Sequence, residues 1–528
     1  MDRQLISGRS DVIAKNGMVA TSQPLATWAG LKMLANGGNA VDAAIAAATV
    51  LDVVEPYSTG CGGDAFALVH LEGEGSPRSF NGSGRSGSLA SLDQLLAKGW
   101  DEIPTLGGPS VTVPGAVHLW CNLVKKFGNL ELNEILKPAI DYARNGFPVT
   151  PIISEGWKSL VSRFQNDEAH RVFSINGRGP EIGETMKNPD LGQVFELIAA
   201  EGHEAFYTGT IAKAIVETVQ EHGGFLATED LEKHKTLETQ PICTEYRGVE
   251  VYEPPPNGQG FAALEMLGIM EQFDFNVFPS VHPDRFHIMI EAKKLAYADL
   301  YQHNADPTFY NVPLETLLSS EYGRRRARLI DMKKSMPLPS TGLRLGADTV
   351  YLATADKEGN AVSFINSLYT GFGSGLVVPG TGIKLQSRGN LFSLDPDHPN
   401  CYAPSKLPFH TIIPGALYRK REFLGVFGIM GGAHQAQAHA QFVSNLLDYG
   451  MSPQWAMDHP RFHHNHEDDD VALEPGLPAT TSDSLTKRGH IIVERPEHTF
   501  GGGQVILRLQ DSWIAGSDHR KDGMAAGF

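Results

Sequence analysis

The sequence predicts a mixed α/β fold in which helices form the outer layers of a sandwich around strands. Three observations predict it. Residues 348–375 read as a β-hairpin, with two β-prone runs around a turn. Residues from about 125 to 335 read mostly helical, with Leu132–Asn145, Thr210–His222 and Phe286–His303 the clearest runs. Beyond the hairpin the chain turns strand-rich again. With 528 residues, 41% of them apolar, it can fill a large core or more than one domain.

The hairpin organises the rest. Val350–Ala355 and Ala361–Ser367 are its strands, and Asp356-Lys357-Glu358-Gly359-Asn360 supplies the turn. Residues 337–348 before it are punctuated by Pro, Gly and Ser and read as an exposed loop. That loop ends abruptly at Thr349, a hydroxyl residue opening a buried strand, which is the pattern of a self-cleavage site between Asp348 and Thr349.

Taken in order, Met18–Thr21 is a short strand. Pro24–Ala35 is a helix stopped by Asn36-Gly37-Gly38-Asn39, and Ala40–Val54 is an alanine-rich helix capped by Asn39. The asparagine–glycine cluster lacks the glycine spacing of a dinucleotide loop and follows a helix, so that reading is set aside. A glycine-rich turn, residues 55–64, feeds the strand Ala65–Leu71 and shares its odds between a tight connection and a wall of the site. Residues 80–85 end the next strand, and residues 110–116 open a helix with Pro114 near its first turn. Tyr246–Tyr252 is a strand halted by Pro254-Pro255-Pro256-Asn257-Gly258-Gln259-Gly260. Thr411–Tyr418 and Glu422–Ile429 pair across a short turn. The second runs into Met430-Gly431-Gly432-Ala433-His434-Gln435 and a helix to Tyr449. Amides at such a strand-to-helix glycine pair can point at an anionic oxygen. Ile491–Val493 and Gly503–Leu509 close the sheet.

Composition excludes several classes. There are 44 basic against 61 acidic residues, a net charge of −17, which argues against a nucleic-acid backbone as partner. The one basic run, Arg324-Arg325-Arg326 with Arg328, reads as a solvated helix face. No apolar window is long enough to span a membrane, and Met1-Asp2-Arg3-Gln4-Leu5 lacks the apolar core of a signal peptide, so a cytoplasmic location is expected. Cys61, Cys121, Cys243 and Cys401 share no short spacing and read as reduced thiols.

A threonine hydroxyl is a weak nucleophile unless a base activates it, and an N-terminal threonine carries that base as its own α-amine. From the residues alone Thr349 is one strand threonine among many. Its neighbours add a resemblance. The runs Asn36-Gly37-Gly38-Asn39-Ala40-Val41-Asp42-Ala43-Ala44, Gly60-Cys61-Gly62-Gly63-Asp64-Ala65-Phe66, Val113-Pro114-Gly115, the Thr349 hairpin through Phe372-Gly373-Ser374-Gly375, Gly431-Gly432, Pro460-Arg461-Phe462-His463-His464 and Ser517-Asp518-His519-Arg520 together resemble the gamma-glutamyltranspeptidase family of N-terminal-nucleophile hydrolases. The resemblance spans nearly the whole chain.

It implies a four-layer αββα sandwich. It implies autocleavage into a large fragment, 1–348, and a small fragment, 349–528, that form one folded unit. Thr349 is then the nucleophile, Ser367 the hydroxyl that orients it, and Gly431 and Gly432 the oxyanion pair. No metal or organic cofactor is implied. The partners are a small amide substrate and the two fragments of the same chain; a homodimer or larger assembly is left open.

The chain departs from the family pattern where a gamma-glutamyl group would be held. Asn81 stands where an arginine binds the α-carboxylate. Tyr369, Arg388 and Leu391 stand where the α-amine is bound, and His410-Thr411 replaces a paired serine motif. With Arg388 and no compensating carboxylate, an ammonium would be repelled and a carboxylate attracted. The expected substrate is therefore a small carboxylate-bearing amide, as for oxamate amidohydrolase or glutaryl-type acylases. The alternatives are a gamma-glutamyl hydrolase or transferase acting on glutathione, and an unprocessed relative that only binds ligands. Residues 463–470, His-His-Asn-His-Glu-Asp-Asp-Asp, are metal-ligand types that fit no single face and read as a solvated loop. His434 and His439, five apart, share no helix face and read as packing residues or solvent-facing, with an approach of His434 to the pocket left open.

Overall fold

The computed structural model describes residues 8–338 and 348–528, without the Asp348 side chain. The leader reading at residues 1–5 and most of the loop expected at 337–348 lie outside the described residues.

Two seven-stranded sheets face each other. One runs Met524–Gly527, Gly17–Thr21, Asp348–Asp356, Ala361–Tyr369, Asp64–His70, Arg78–Gly82, Leu237–Thr239. The other runs Val12–Ala14, Ser512–Ser517, Gly502–Leu509, Glu422–Met430, Gly415–Arg419, Val249–Glu253, Ile242–Tyr246. The period of two along each strand divides its side chains between two cores. Along the nucleophile strand, Val350 and Leu352 face helices Pro24–Ala35 and Ala40–Val54 in one core, while Tyr351 and Ala353 meet Ala416, Val426 and Ile506 of the opposite sheet in another. A third core joins the far face of the second sheet, at Val251, Phe427 and Val505, to helices Gly260–Met270, Pro283–His303 and His434–Leu447. Helix, sheet, sheet and helix are thus the four layers expected.

The capped helix begins at Ala40 because Asn39 accepts from the Val41 and Asp42 amides while Asp42 returns a bond to the Asn39 amide. Every residue of Ala40–Val54 is buried, and its small side chains let it lie close under the nucleophile hairpin.

Three readings are corrected. Residues 246–252 are two strands, because Arg247 and Gly248 both take positive φ and turn the chain back. Ile491–Val493 does not close the main sheet; it pairs in parallel with Asp470–Leu473 in a separate three-stranded sheet. Residues 463–470 are not a solvated loop. Phe462–Asn465 and Asp470–Leu473 form a hairpin, with His464, His466 and Asp470 buried. In the basic run, Arg324, Arg325 and Arg328 are exposed as expected, but Arg326 turns in to pair with Asp299 at 2.6 Å. All four cysteines are free thiols. Among the described residues no helix is long and apolar enough to cross a membrane.

The closing Ser517–Arg520 motif is structural in placement. Arg461 and Arg520 clamp Asp518 at 2.6 and 2.9 Å, and Arg520 also pairs with Glu474. The two guanidinium groups hold the buried Asp518 carboxyl well below the usual carboxylate range.

Candidate active site

The site lies where the nucleophile hairpin meets the segment after it. The pairing of the two strands shifts register between Asp348 and Val350, so Thr349 sits at a bulge, a device that re-aims a side chain beside active centres. Thr349 is buried, and its Oγ1 lies 3.1 Å from Ser367 Oγ on the partner strand. Ser367 Oγ accepts from the Tyr369 amide at 2.8 Å and from Arg388 Nη2 at 3.0 Å. Arg388 Nη1 donates to Thr411 Oγ1 at 2.7 Å. Gln259 Nε2 then joins the Thr411 carbonyl, at 2.5 Å, to the Gly432 carbonyl, at 2.9 Å. One continuous polar chain therefore runs from the candidate nucleophile to the candidate oxyanion turn.

Backbone geometry supports both ends. Gly63 presses against the Ser367 carbonyl so closely that a Cβ there would come within 2.3 Å of its oxygen. Gly431 and Gly432 have φ of 134° and 57°, conformations that favour glycine and turn the chain from strand into helix. Among the described residues neither glycine amide donates to a backbone carbonyl. Tyr369 also has positive φ, 78°, uncommon for an aromatic residue, and its ring carries the Arg388 guanidinium at 4.6 Å. Leu391 ends the short turn Arg388–Leu391 and is buried in the third core.

The charge balance differs from the sequence expectation. Arg388 is not without a compensating carboxylate, because Asp64 lies within its electrostatic reach. Asp64 accepts from Gln386 Nε2 and the Gly84 and Gly115 amides, and lies 3.1 Å from His410 Nε2. Burial pushes the Asp64 carboxyl up to about 7, opposed chiefly by Arg388. Burial lowers Arg388 to about 10, with Asp64 opposing, so the guanidinium stays charged at neutral pH. Burial holds His410 well below its ordinary value; its Nδ1 accepts from the Ile412 amide, which leaves the proton on Nε2, facing Asp64.

Asn81 is not part of the chain from Thr349. It donates to Asn257 Oδ1 at 2.8 Å and accepts from the Ser83 amide, while the Asn257 carbonyl accepts from the His410 amide. Asp64, Gln259, Asn257 and Gln386 were not singled out for the site. Asp64 stood in the quoted glycine-rich run and Gln259 and Asn257 in the proline-rich stop, but their signal is long-range pairing. His439 is a core residue, bonded to Glu253 at 2.7 Å. Among the described residues two clusters could hold a metal by proximity, His287–Glu291–His490 and Asp458–Asp518–His519; neither includes the histidines of 463–466.

The helix-sheet-sheet-helix sandwich is that of the N-terminal-nucleophile hydrolase class, and Thr349 and Ser367 bring their hydroxyls together at a strand bulge within it. Residues 26–528 match the family model described as gamma-glutamyltranspeptidase, and the chain belongs to that family. It is 36% identical over 98% of its length, and 99% of the relative's, to a protein of Bacillus subtilis named glutathione hydrolase-like YwrD proenzyme. It is 30% identical to the oxamate amidohydrolase proenzyme of Klebsiella pneumoniae, covering 98% of this chain and all (100%) of that one. The solved structure of a cephalosporin acylase from Bacillus halodurans superposes with a TM-score of 0.94 at 44% identity, covering 99% of this chain and 98% of that one.

Proposed function

We propose that this protein is an autoprocessed amide hydrolase that works through an acyl-enzyme on Thr349 and prefers small acyl groups bearing a carboxylate. In processing, Thr349 Oγ attacks the Asp348 carbonyl carbon and the peptide nitrogen leaves, giving an ester. Water opens the ester, freeing the Asp348 carboxylate and the Thr349 amine, so that 1–348 and 349–528 remain as two fragments of one fold. In turnover the freed amine takes the Oγ proton as Oγ attacks the amide carbonyl. The amides of Gly431 and Gly432 hold the oxyanion, a contribution worth about 10²–10³ in rate per donor in comparable sites. The leaving amine takes the proton, and water, deprotonated by the same Thr349 amine, releases the acid.

The observation that carries this reading is the buried contact chain Thr349–Ser367–Arg388–Thr411, which places a charged guanidinium one hydroxyl away from the nucleophile. Support comes also from relatives named for oxamate amide and cephalosporin acylase activity. Kinetics of the processed protein on oxamate, glutaryl-p-nitroanilide and gamma-glutamyl-p-nitroanilide test it. The first two should turn over faster; a faster gamma-glutamyl reaction overturns the carboxylate preference.

The second reading, gamma-glutamyl transfer or hydrolysis, is favoured by Asp64, whose ionised form offsets Arg388 and lessens its repulsion of an ammonium. Its signature in the same panel is preference for the gamma-glutamyl anilide, with rate rising on addition of a dipeptide acceptor if transfer occurs.

A further inference from the structure

Beside the oxyanion turn lies a cavity of about 60 Å³ whose wall includes Gly431. A buried water needs roughly 10–15 Å³ of such space, so the cavity has room for several waters or one carboxylate group. Helix Pro283–His303 lines it with Lys293, Tyr297 and Tyr301, one helical turn apart on a single face. His434 enters from the start of the helix after the glycine pair, and His464 and His466 enter from the hairpin of residues 462–473. Tyr301 belongs to the same core as Tyr369, whose ring carries Arg388.

The chemistry of the wall is that of an oxyanion receptor. Lys293 is 1% exposed; its Nζ lies 2.9 Å from His464 Nδ1 and 4.0 Å above the Tyr297 ring. His464 Nε2 is held by Asp469 at 3.0 Å, which fixes Nδ1 as the acceptor and leaves the remaining Lys293 protons for a ligand. Both ring nitrogens of His434, 0% exposed, are without a hydrogen-bond partner among the described residues. Among the described residues Glu467 is the one acidic side chain on the wall; Asp469 stands behind His464 and is also paired with Lys294 at 2.9 Å. A buried amine and an unsatisfied buried imidazole cost stability unless a partner arrives. Burial holds Lys293, His434 and His464 well below their ordinary pKa values, a balance that an incoming anion reverses.

We infer that this cavity is an anion subsite, with Lys293 and His434 receiving a small carboxylate. The inference rests on the reading of Thr349 as nucleophile for its place in catalysis, but not for binding. The carboxylate has two sources, the substrate's acyl group or a free acid such as the product.

Lys293→Met keeps length and apolar stem, and His434→Phe keeps the ring if the first variant fails to fold. Processed enzyme would be assayed on glutaryl-p-nitroanilide and on its uncharged match, butyryl-p-nitroanilide, with free glutarate as inhibitor. A substrate-borne carboxylate predicts at least a tenfold rise in KM for the glutaryl compound, with butyryl kinetics within twofold. A free acid as ligand predicts unchanged substrate preference and at least a tenfold weaker glutarate inhibition. Unchanged KM and unchanged inhibition in a processed, folded variant overturn the subsite. If the parent protein neither processes nor turns over, the nucleophile reading has failed. Calorimetric titration of glutarate into the full-length Thr349→Ala protein then decides the subsite by itself. Heat of binding lost on Lys293→Met supports it, and no heat overturns it.

Discussion

Two buried basic side chains lie near the glycine turn, and they are treated oppositely. Arg388 donates through both terminal nitrogens, to Thr411 and Ser367, rests on the Tyr369 ring and is balanced by Asp64. Lys293 has a neutral imidazole at 2.9 Å and beside it an imidazole with no partner among the described residues. A group bonded through both terminal nitrogens and balanced by a carboxylate fixes the geometry of its neighbours, although the Arg388 Nε is itself without a partner among the described residues. An underpaired one is tolerated only where something else completes it. The contrast separates a guanidinium bonded into the surroundings of the candidate nucleophile, where it also sets the charge a substrate meets, from an amine with room for a ligand of its own.

The largest expected effect breaks the comparison at its origin. Thr349→Ala removes the only oxygen proposed to cleave the chain and to carry the acyl group. The expected outcome is a single full-length band on a denaturing gel and no turnover above background. The parent should give two fragments, with mass spectrometry placing the new terminus at Thr349. Two fragments from the variant would move the nucleophile elsewhere.

Next is Arg388→Met, expected to lower kcat/KM on a carboxylate-bearing amide at least a hundredfold. It also removes the charge that chiefly opposes the burial of Asp64, so the Asp64 carboxyl should rise further and stability should fall, read by denaturant unfolding across pH. Asp64→Asn sharpens the point because its effect depends on pH. The Asp64 carboxyl has an ordinary value near 3.8 and stands at about 7 in the fold. Across that window the native state holds the extra proton, so this group's contribution to stability falls as pH rises from about 4 to 7. Ionisation near pH 7 also offsets Arg388, so kcat/KM for an anionic substrate should decline through that limb. In Asp64→Asn both slopes should flatten; a persistent limb near pH 7 would assign it to another group.

How much of this was legible in the sequence follows the range of the interactions. Helices Pro24–Ala35, Ala40–Val54 and Leu132–Asn145 were read to the residue, since caps, breakers and periodicity are local. The hairpin that holds Thr349 and Ser367 was legible for the same reason. The 242–253 hairpin was misread because its turn, Arg247-Gly248, sits inside an unbroken β-prone run, and only the positive φ at both positions reveals it. The acidic, histidine-rich 463–470 run looked solvated because its composition is polar. His464 and His466 are buried against helix Pro283–His303, more than a hundred and fifty residues earlier, and nothing local marks that. Asp64 was invisible as Arg388's counterion for the same reason. Pairs of that kind belong to the topology and are found only when the sheets are assembled.

The smallest expected effect lies on the boundary between the two regions. Tyr297 lines the Lys293 cavity, yet its hydroxyl donates to the Ala433 carbonyl, the residue directly after the glycine pair. If the cavity wall also steadies the oxyanion turn, Tyr297→Phe should cost the net worth of one hydrogen bond, about 0.5–1.5 kcal/mol, in transition-state stabilisation. That is roughly a two- to tenfold fall in kcat. The fall should be the same for charged and uncharged acyl groups, because the turn meets the oxyanion and not the distal carboxylate, and KM should hold. A rise in KM confined to the charged substrate would instead give the hydroxyl to the anion and detach the oxyanion turn from the cavity wall. Equal losses in kcat would show that the ligand-binding region and the catalytic region share one mechanical support at Ala433.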